Sequence, residues 1–341
     1  MTLPLVQAPD RGFVSFVNAP VVTDLAALDA DVAILGVPYG IPYDMEQSAS
    51  FGAPGYIREK SLRFCGRLDR ADCDRLRPWL PTARRARIVD CGDVPGDPMD
   101  LPGNSARATE AVARILARGA VPIVLGGDDS IPIPVVRAYK DHGPLVVVQI
   151  DQHFDFADEV GGVREGSSSP IRRIAEMPWV KGIVQIGFQG SCAAWLPGEG
   201  SARTSQAMVC EIDPRDPGAA WRCEHVVNAG NILIGAPEVH EKGVAAALER
   251  IPKGANYFIT FDVDGLDASV CPAMSHPEPG GLTFLEASEL LSGLAAQGRI
   301  AGMDLAEMVP AHDVHGLGAR VIGRLILCLI GAMLRNGQFG P

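Results

Sequence analysis

Short apolar runs without polar alternation recur along the chain: DVAILGV (31–37), RIVDC (87–91), VPIVLG (121–126), PLVVVQID (144–151), VKGIVQIG (180–187), NILIG (231–235), YFITFDVD (257–264) and RIAGMDL (299–305). Strands that are apolar on both faces belong to a parallel sheet covered by helices on each side. The segments between them read as helices. After Asn104, the side chains of Ala111, Val112, Ile115 and Leu116 share one face, and Gly119 stands where a helix stop belongs. Thr283 and Glu286 form a capping-box pair ahead of the stripe Leu290, Leu291 and Leu294, and a last helix runs from about 317 to 335, ending near Gly337. This alternation predicts an α/β fold of three α/β/α layers around a central, mostly parallel sheet of about eight strands. The whole chain, 1–341, reads as one domain, with 1–30 an N-terminal extension for packing or assembly. The stretch 190–230, rich in Gly, Pro and Ser, reads as a long excursion from it.

Composition narrows the partners. Among 341 residues, 41 acidic and 30 basic side chains give a formal net charge of -11. The basic residues are scattered, so neither a nucleic-acid backbone nor an anionic membrane is an expected partner. No apolar run approaches the ~20 residues that span a bilayer, and the N-terminus lacks the pattern of a secretion signal. The eight cysteines form no C-x-x-C pair, which points to reduced, mostly buried thiols and a cytoplasmic location.

Ligands of open parallel sheets bind beyond the carboxyl ends of the strands. Four of those ends are acidic here: GGDDS (Gly126, Gly127, Asp128, Asp129, Ser130), DQHFD (Asp151, His153, Asp155), DVDGLD (Asp262, Asp264, Asp267) and the position of Glu307. A spacing of two in extended backbone would set Asp151, His153 and Asp155 on one side of the chain, and Asp262 with Asp264 likewise. Any one such motif is commonly a cap or a turn. Four together would crowd carboxylates that repel one another unless cations neutralise them. Carboxylate-rich ligation with an imidazole suits a pair of hard or borderline divalent ions, Mn2+ before others and Ni2+ as the second choice.

These motifs resemble those of the ureohydrolase family of arginases and agmatinases over nearly the whole chain. LGVPY (35–39) and APGYIR (53–58) are similar to its opening strand and loop. GGDDS is similar to G-G-D-H-S and DQHFD to D-A-H-x-D. TFDVDGLDASVCPAMSHPEPGG (260–281) follows S-x-D-x-D-x-x-D-P-x-x-A-P-G-x-x-x-P-E-P-G-G, and GMDLAEMVPAHD (302–313) follows G-x-D-x-V-E-x-N-P-x-x-D. The resemblance implies an arginase-type fold and two divalent metals per site, held by Asp129, Asp151, His153, Asp155, Asp262 and Asp264, with Asp151 and Asp262 bridging. It also implies that Glu307 binds a substrate guanidinium, that a metal-bridging hydroxide attacks the guanidino carbon, and that Asp155 passes a proton to the leaving amine. Trimeric or hexameric assembly is implied as well, homomeric or with an active paralogous subunit.

The chain departs from that pattern at four places, the smallest being Ala268, which stands where the pattern has the proline after Asp267. Asp129 replaces the histidine of G-G-D-H-S. GSSSPIRR puts Ser167 where the agmatinase-type S-H-G-T-P-F-R-R has its histidine, and serine does not titrate near neutrality. CPAMSHPE replaces A-P-G-T-G-T-P-E, which brings His276 to the substrate side with Ser167. Two readings follow from the sequence. One is a metal-dependent amidinohydrolase acting on a small or alkylated guanidine, a guanidino acid or a biguanide. The other is a non-catalytic or weakly active subunit of a hetero-oligomeric ureohydrolase that has lost a full metal site at Asp129.

Overall fold

Eight strands form the central sheet of the computed structural model, which describes residues 4–7, 12–43, 47–72, 77–80, 86–189 and 230–339. They are β1 (Val32–Val37), β2 (Ile88–Asp93), β3 (Val121–Gly126), β4 (Leu145–Ile150), β5 (Val180–Ile186), β6 (Ile232–Ile234), β7 (Asn256–Asp262) and β8 (Arg299–Ala306). Every pairing among them is parallel, and the order across the sheet is β2-β1-β3-β8-β7-β4-β5-β6. The strands are apolar throughout because both faces are covered. Val32 and Ile34 enter one buried cluster with Ile57, Leu290 and Leu325, while Ala33 and Leu35 enter another with Ile115, Val135 and Ile171.

That strand order does the positioning. It makes β3, β8, β7 and β4 neighbours although they are far apart in sequence, so the four acidic segments end side by side at one edge of the sheet. One residue row below that edge, Gln185, Gln149, Thr260 and Asp304 lie in register across β5, β4, β7 and β8.

Helices α1 (Ala53–Ser61), α2 (Leu101–Ala117), α3 (Pro132–Arg137), α4 (Pro170–Ala175), α5 (Ala236–Lys242), α6 (Val244–Arg250), α7 (Phe284–Gln297) and α8 (Leu317–Arg335) flank the sheet. The capping box forms as expected: Glu286 N–H donates to Thr283 Oγ1 at 3.2 Å, and Thr283 N–H donates to Glu286 Oε2 at 2.8 Å. Helix α2 begins earlier than the pattern after Asn104 suggests. Asp100 is its cap, accepting from Gly103 N–H at 3.0 Å, and Asn104 instead accepts from the Asp97 N–H at 2.8 Å. Helix α8 is long and apolar enough to cross a membrane by length and composition alone, but most of it is buried among the other elements.

The N-terminal residues pack on the rim of β2. The Gln7 and Asp93 main chains exchange hydrogen bonds of 2.9 Å, and Phe16 N–H donates to Asp90 Oδ2 at 2.8 Å. Of the expected excursion, residues 190–229 lie outside the described residues, as do Cys73, Cys192, Cys210 and Cys223. Among the described residues, Cys65, Cys91, Cys271 and Cys328 form no disulfide, and all but Cys65 are buried.

Candidate metal centre

Asp129, Asp151, His153, Asp155, Asp262 and Asp264 converge at the carboxyl edge, but not by strand alternation. Strand β4 ends at Ile150 and β7 at Asp262, so most of these residues sit on turns. The turns are held by side chains capping the amide two residues on: Asp151 Oδ1 accepts from His153 N–H at 2.5 Å, and Asp262 Oδ1 accepts from Asp264 N–H at 2.8 Å. Asp262 thereby starts a short 3-10 turn over Val263–Gly265. The two-residue spacing therefore brings the carboxylates together through local turn chemistry rather than extended backbone.

Two groups emerge whose ligand atoms all lie within 4.8 Å of one another: Asp129 with Asp151 and Asp262, and Asp151 with His153 and Asp264. They share Asp151. His153 Nδ1 lies 3.1 Å from Asp264 Oδ2 and 3.5 Å from Asp151 Oδ1. Asp155 joins through a residue that sequence reading missed. Gln149, buried in β4, directs Nε2 to Asp151 Oδ2 at 2.6 Å and to Asp155 Oδ2 at 3.1 Å. Its own Oε1 accepts from Gln185 Nε2 at 2.6 Å, and Asn231 Nδ2 in turn reaches Gln185 Oε1 at 2.8 Å. The available signal was a single amide in each of two otherwise apolar runs, VVVQI and IVQI.

Glu307 follows β8 and is buried. Its Oε1 accepts from Asp129 N–H at 2.8 Å, and Ser275 Oγ stands 3.5 Å from Oε2. Asp155 and Glu307 both have left-handed backbones, with φ of 44° and 60°. Such conformations cost of order 1–3 kcal/mol in a non-glycine residue and persist where the surroundings dictate them.

The other two predicted residues lie nearby in different settings. Ser167 is buried in the Gly166–Ser169 turn entering α4, the helix whose Ile171 N–H donates to the Asp155 carbonyl at 3.1 Å. His276 is exposed, its ring centroid 6.4 Å from that of His153 in an edge-on arrangement, and its carbonyl accepts from Gln152 Nε2 at 3.1 Å.

Electrostatics test whether cations fit. Burial, then the charges of Asp151 and Asp262, raise the Asp129 carboxyl well above its ordinary range. Burial, then Asp151 and Asp129, do the same to Asp155, and burial, then Asp264 and Asp151, to Asp262. Glu307 is raised by burial and then by Asp128. Asp264 is the exception: burial opposes its ionisation, but His153 and the Gln152 N–H hold it below the usual value. Asp129 Oδ2 is buried and has no hydrogen-bond partner. Clustered carboxylates short of positive charge, with an orphaned oxygen among them, are a donor set that divalent ions satisfy.

Fold and site together define an open-sheet α/β protein with side chains positioned for divalent metal ions at the carboxyl edge. The chain belongs to the arginase family, whose model matches residues 30–331. It is 30% identical over 333 residues to the mitochondrial agmatinase of Gallus gallus, covering 94% of this chain and 86% of that protein. It is also 30% identical over 342 residues to the guanidinobutyrase of Pseudomonas aeruginosa, covering 95% and 94%. The solved proclavaminate amidino hydrolase from Streptomyces clavuligerus shares the fold at a TM-score of 0.75 and 22% identity, over 96% of this chain and 98% of that one.

Proposed function

We propose that this chain is a metal-dependent amidinohydrolase that cleaves a C–N bond in a small guanidino compound. The observation that carries the reading is the convergence of Asp129, Asp151, His153, Asp155, Asp262 and Asp264 beside the buried carboxylate of Glu307. The named activities of its relatives, on agmatine and guanidino acids, agree with it. A planar guanidinium matches a carboxylate through paired, charge-assisted hydrogen bonds, and Glu307 is the residue for that role. When bound, the two divalent ions supply Lewis acidity and a water of lowered pKa as nucleophile. Oxygen-rich ligation favours Mn2+, with Ni2+ the alternative.

The residues around the metals have distinct work. Asp155, held by Gln149, takes up the nucleophile's proton and delivers it to the leaving amine. Ser275 sits against Glu307, and Ser167 and His276 border the side that reads the substrate's tail. These positions differ from the agmatinase pattern, which favours a small or alkylated guanidine, a guanidino acid or a biguanide over agmatine and arginine. The convergence of Asp129 with Asp151 and Asp262 favours this reading over a non-catalytic subunit. Assembly into trimers or hexamers in the cytoplasm belongs to the same proposal.

The test is urea and amine release from a panel of guanidino compounds by the full chain after Mn2+ or Ni2+ loading. Turnover of at least one compound, abolished by a chelator, is the expected result. Bound metal without release from any member of the panel would overturn the reading.

A further inference from the structure

The two halves of the cluster differ in donor chemistry. Asp129, Asp151 and Asp262 offer only oxygen, whereas the half built on Asp151, His153 and Asp264 includes an imidazole. We propose that these halves are unequal metal sites: the all-oxygen half selects a hard cation such as Mn2+, and the imidazole half takes a borderline cation such as Ni2+ first. The inference rests on the metal-dependent reading above and goes beyond it, since the inequality comes from this chain's own aspartate at 129.

Three observations support it. First, Asp129 is built into its half rather than turned away. The residue is only 3% exposed, its Oδ2 has no hydrogen-bond partner, and its main-chain N–H is committed to Glu307 Oε1. The loop is therefore fixed while one carboxylate oxygen stays available. Second, the shared ligand Asp151 makes the remaining donors decide the difference: Asp129 and Asp262 on one side, His153 and Asp264 on the other. Imidazole suits Ni2+ and other late metals of the first transition row, whereas carboxylates alone suit Mn2+, Mg2+ and Ca2+. Third, the first half collects three carboxylates and the second two carboxylates and one imidazole, so the first half can hold a divalent ion by charge without nitrogen ligation, a donor set that suits Mn2+ and denies Ni2+ the imidazole it favours.

The full chain, stripped with a chelator, is loaded with Mn2+ alone, Ni2+ alone or an equal mixture, desalted and analysed for metal per chain. Manganese paramagnetic resonance then reports whether Mn2+ ions sit as a coupled pair or singly. The expected results are a coupled pair from Mn2+ alone, one tightly held ion from Ni2+ alone, and one of each from the mixture, with the Mn2+ signal uncoupled from a second Mn2+. In Asp129→His the second Ni2+ should bind about tenfold tighter or more, and Ni2+ should displace both Mn2+ ions. Two Ni2+ ions per wild-type chain from the mixture would overturn the proposal. A single ion under every loading would also overturn it, since Asp129 would then complete no site. The wild-type measurements stand even if the variant does not fold. A mixed pair without hydrolysis of any guanidino compound would leave this inference intact and remove the functional one; two identical ions with hydrolysis would do the reverse.

Discussion

The main-chain N–H of Asp129 donates to Glu307 Oε1 at 2.8 Å. The loop that carries Asp129 and the carboxylate proposed to hold the guanidinium are thus one mechanical unit spanning the ends of β3 and β8. Glu307→Gln keeps an oxygen for that N–H but removes the charge. It should lower kcat/KM on any substrate found by about 2–5 kcal/mol, roughly 30- to 5000-fold, with the fold and metal content unchanged. Steady-state kinetics with circular dichroism check this, and an unchanged kcat/KM would remove Glu307 from substrate binding.

Gln149 is expected to matter through the carboxylates it holds. Gln149→Met keeps the volume but deletes the amide shared by Asp151 and Asp155. Metal affinity should fall by about 10- to 100-fold, the usual cost of losing an outer partner of a metal ligand. Calorimetric Mn2+ titration would show it, and full-strength binding would argue that the turns position the ligands unaided.

The metal-free protein should lose stability as pH rises. Asp129, Asp155, Asp262 and Glu307 bind protons more strongly when folded than their ordinary values of 3.8 and 4.5. Groups of that kind contribute stability that is complete below the ordinary value and is lost as pH climbs through the folded one. Burial likewise pushes Asp304 up to about 8. Melting temperatures of chelated protein should therefore fall between pH 5 and 8. Mn2+ should remove the part of that slope that the clustered carboxylates contribute, leaving the part that Asp304 contributes from its ordinary value of 3.8 up to about 8, which Asp304→Asn removes. A metal-free melting temperature independent of pH would contradict the account.

Gly265, just after Asp264, packs directly against the main chain of Asp151. A Cβ there would lie 2.6 Å from Asp151 N and 2.9 Å from its Cα, both main-chain atoms. Gly265→Ala should cost about 1–3 kcal/mol of stability through overpacking, and should weaken metal binding as well because the Asp151 and Asp262 turns carry residues proposed to hold the metals. Urea unfolding of the chelated variant measures the first effect without the second.

His240 offers a control distant from metal chemistry. Its Nδ1 is 2.8 Å from Glu286 Oε1 and its Nε2 is 3.1 Å from the Gly280 carbonyl, and the Glu286 contact foremost raises its pKa above 6.5. A raised histidine stabilises fully below its ordinary value and loses that contribution as pH rises through the folded one. His240→Gln should therefore lower the melting temperature more at pH 6 than at pH 9, and an equal loss at both would show a packing effect alone.

Much of this architecture is legible in the sequence because a parallel sheet leaves a strong trace. Eight uninterrupted apolar runs match eight strands, and the Thr283–Glu286 pair marks a helix start by a purely local rule. The start of α2 is less legible, because its cap Asp100 and its first turn lie ahead of the apolar face that Ala111, Val112 and Ile115 display. In the site, the clustered acidic residues and His153 stand out from their positions after strands, but the way they converge does not. Turns at Asp151 and Asp262, and the left-handed backbone of Asp155 and Glu307, depend on tertiary surroundings. Gln149 and Gln185 were hidden for a related reason: their partners lie on neighbouring strands, and register across a sheet is not written in either strand alone.

Strand β8 is the last to be synthesised, yet it lies in the middle of the sheet between β3 and β7. A nascent chain, which forms its N-terminal portions first, cannot complete the row of strand ends until residues 299–306 have left the ribosome and been inserted between two earlier strands. Until then the Asp129 loop lacks Glu307, and the two sides of the sheet are not joined. Assembly of the full two-group cluster therefore has to follow release of nearly the entire chain, and a product truncated before β8 would expose two unpaired strand edges and leave Asp129 unjoined to Asp151 and Asp262.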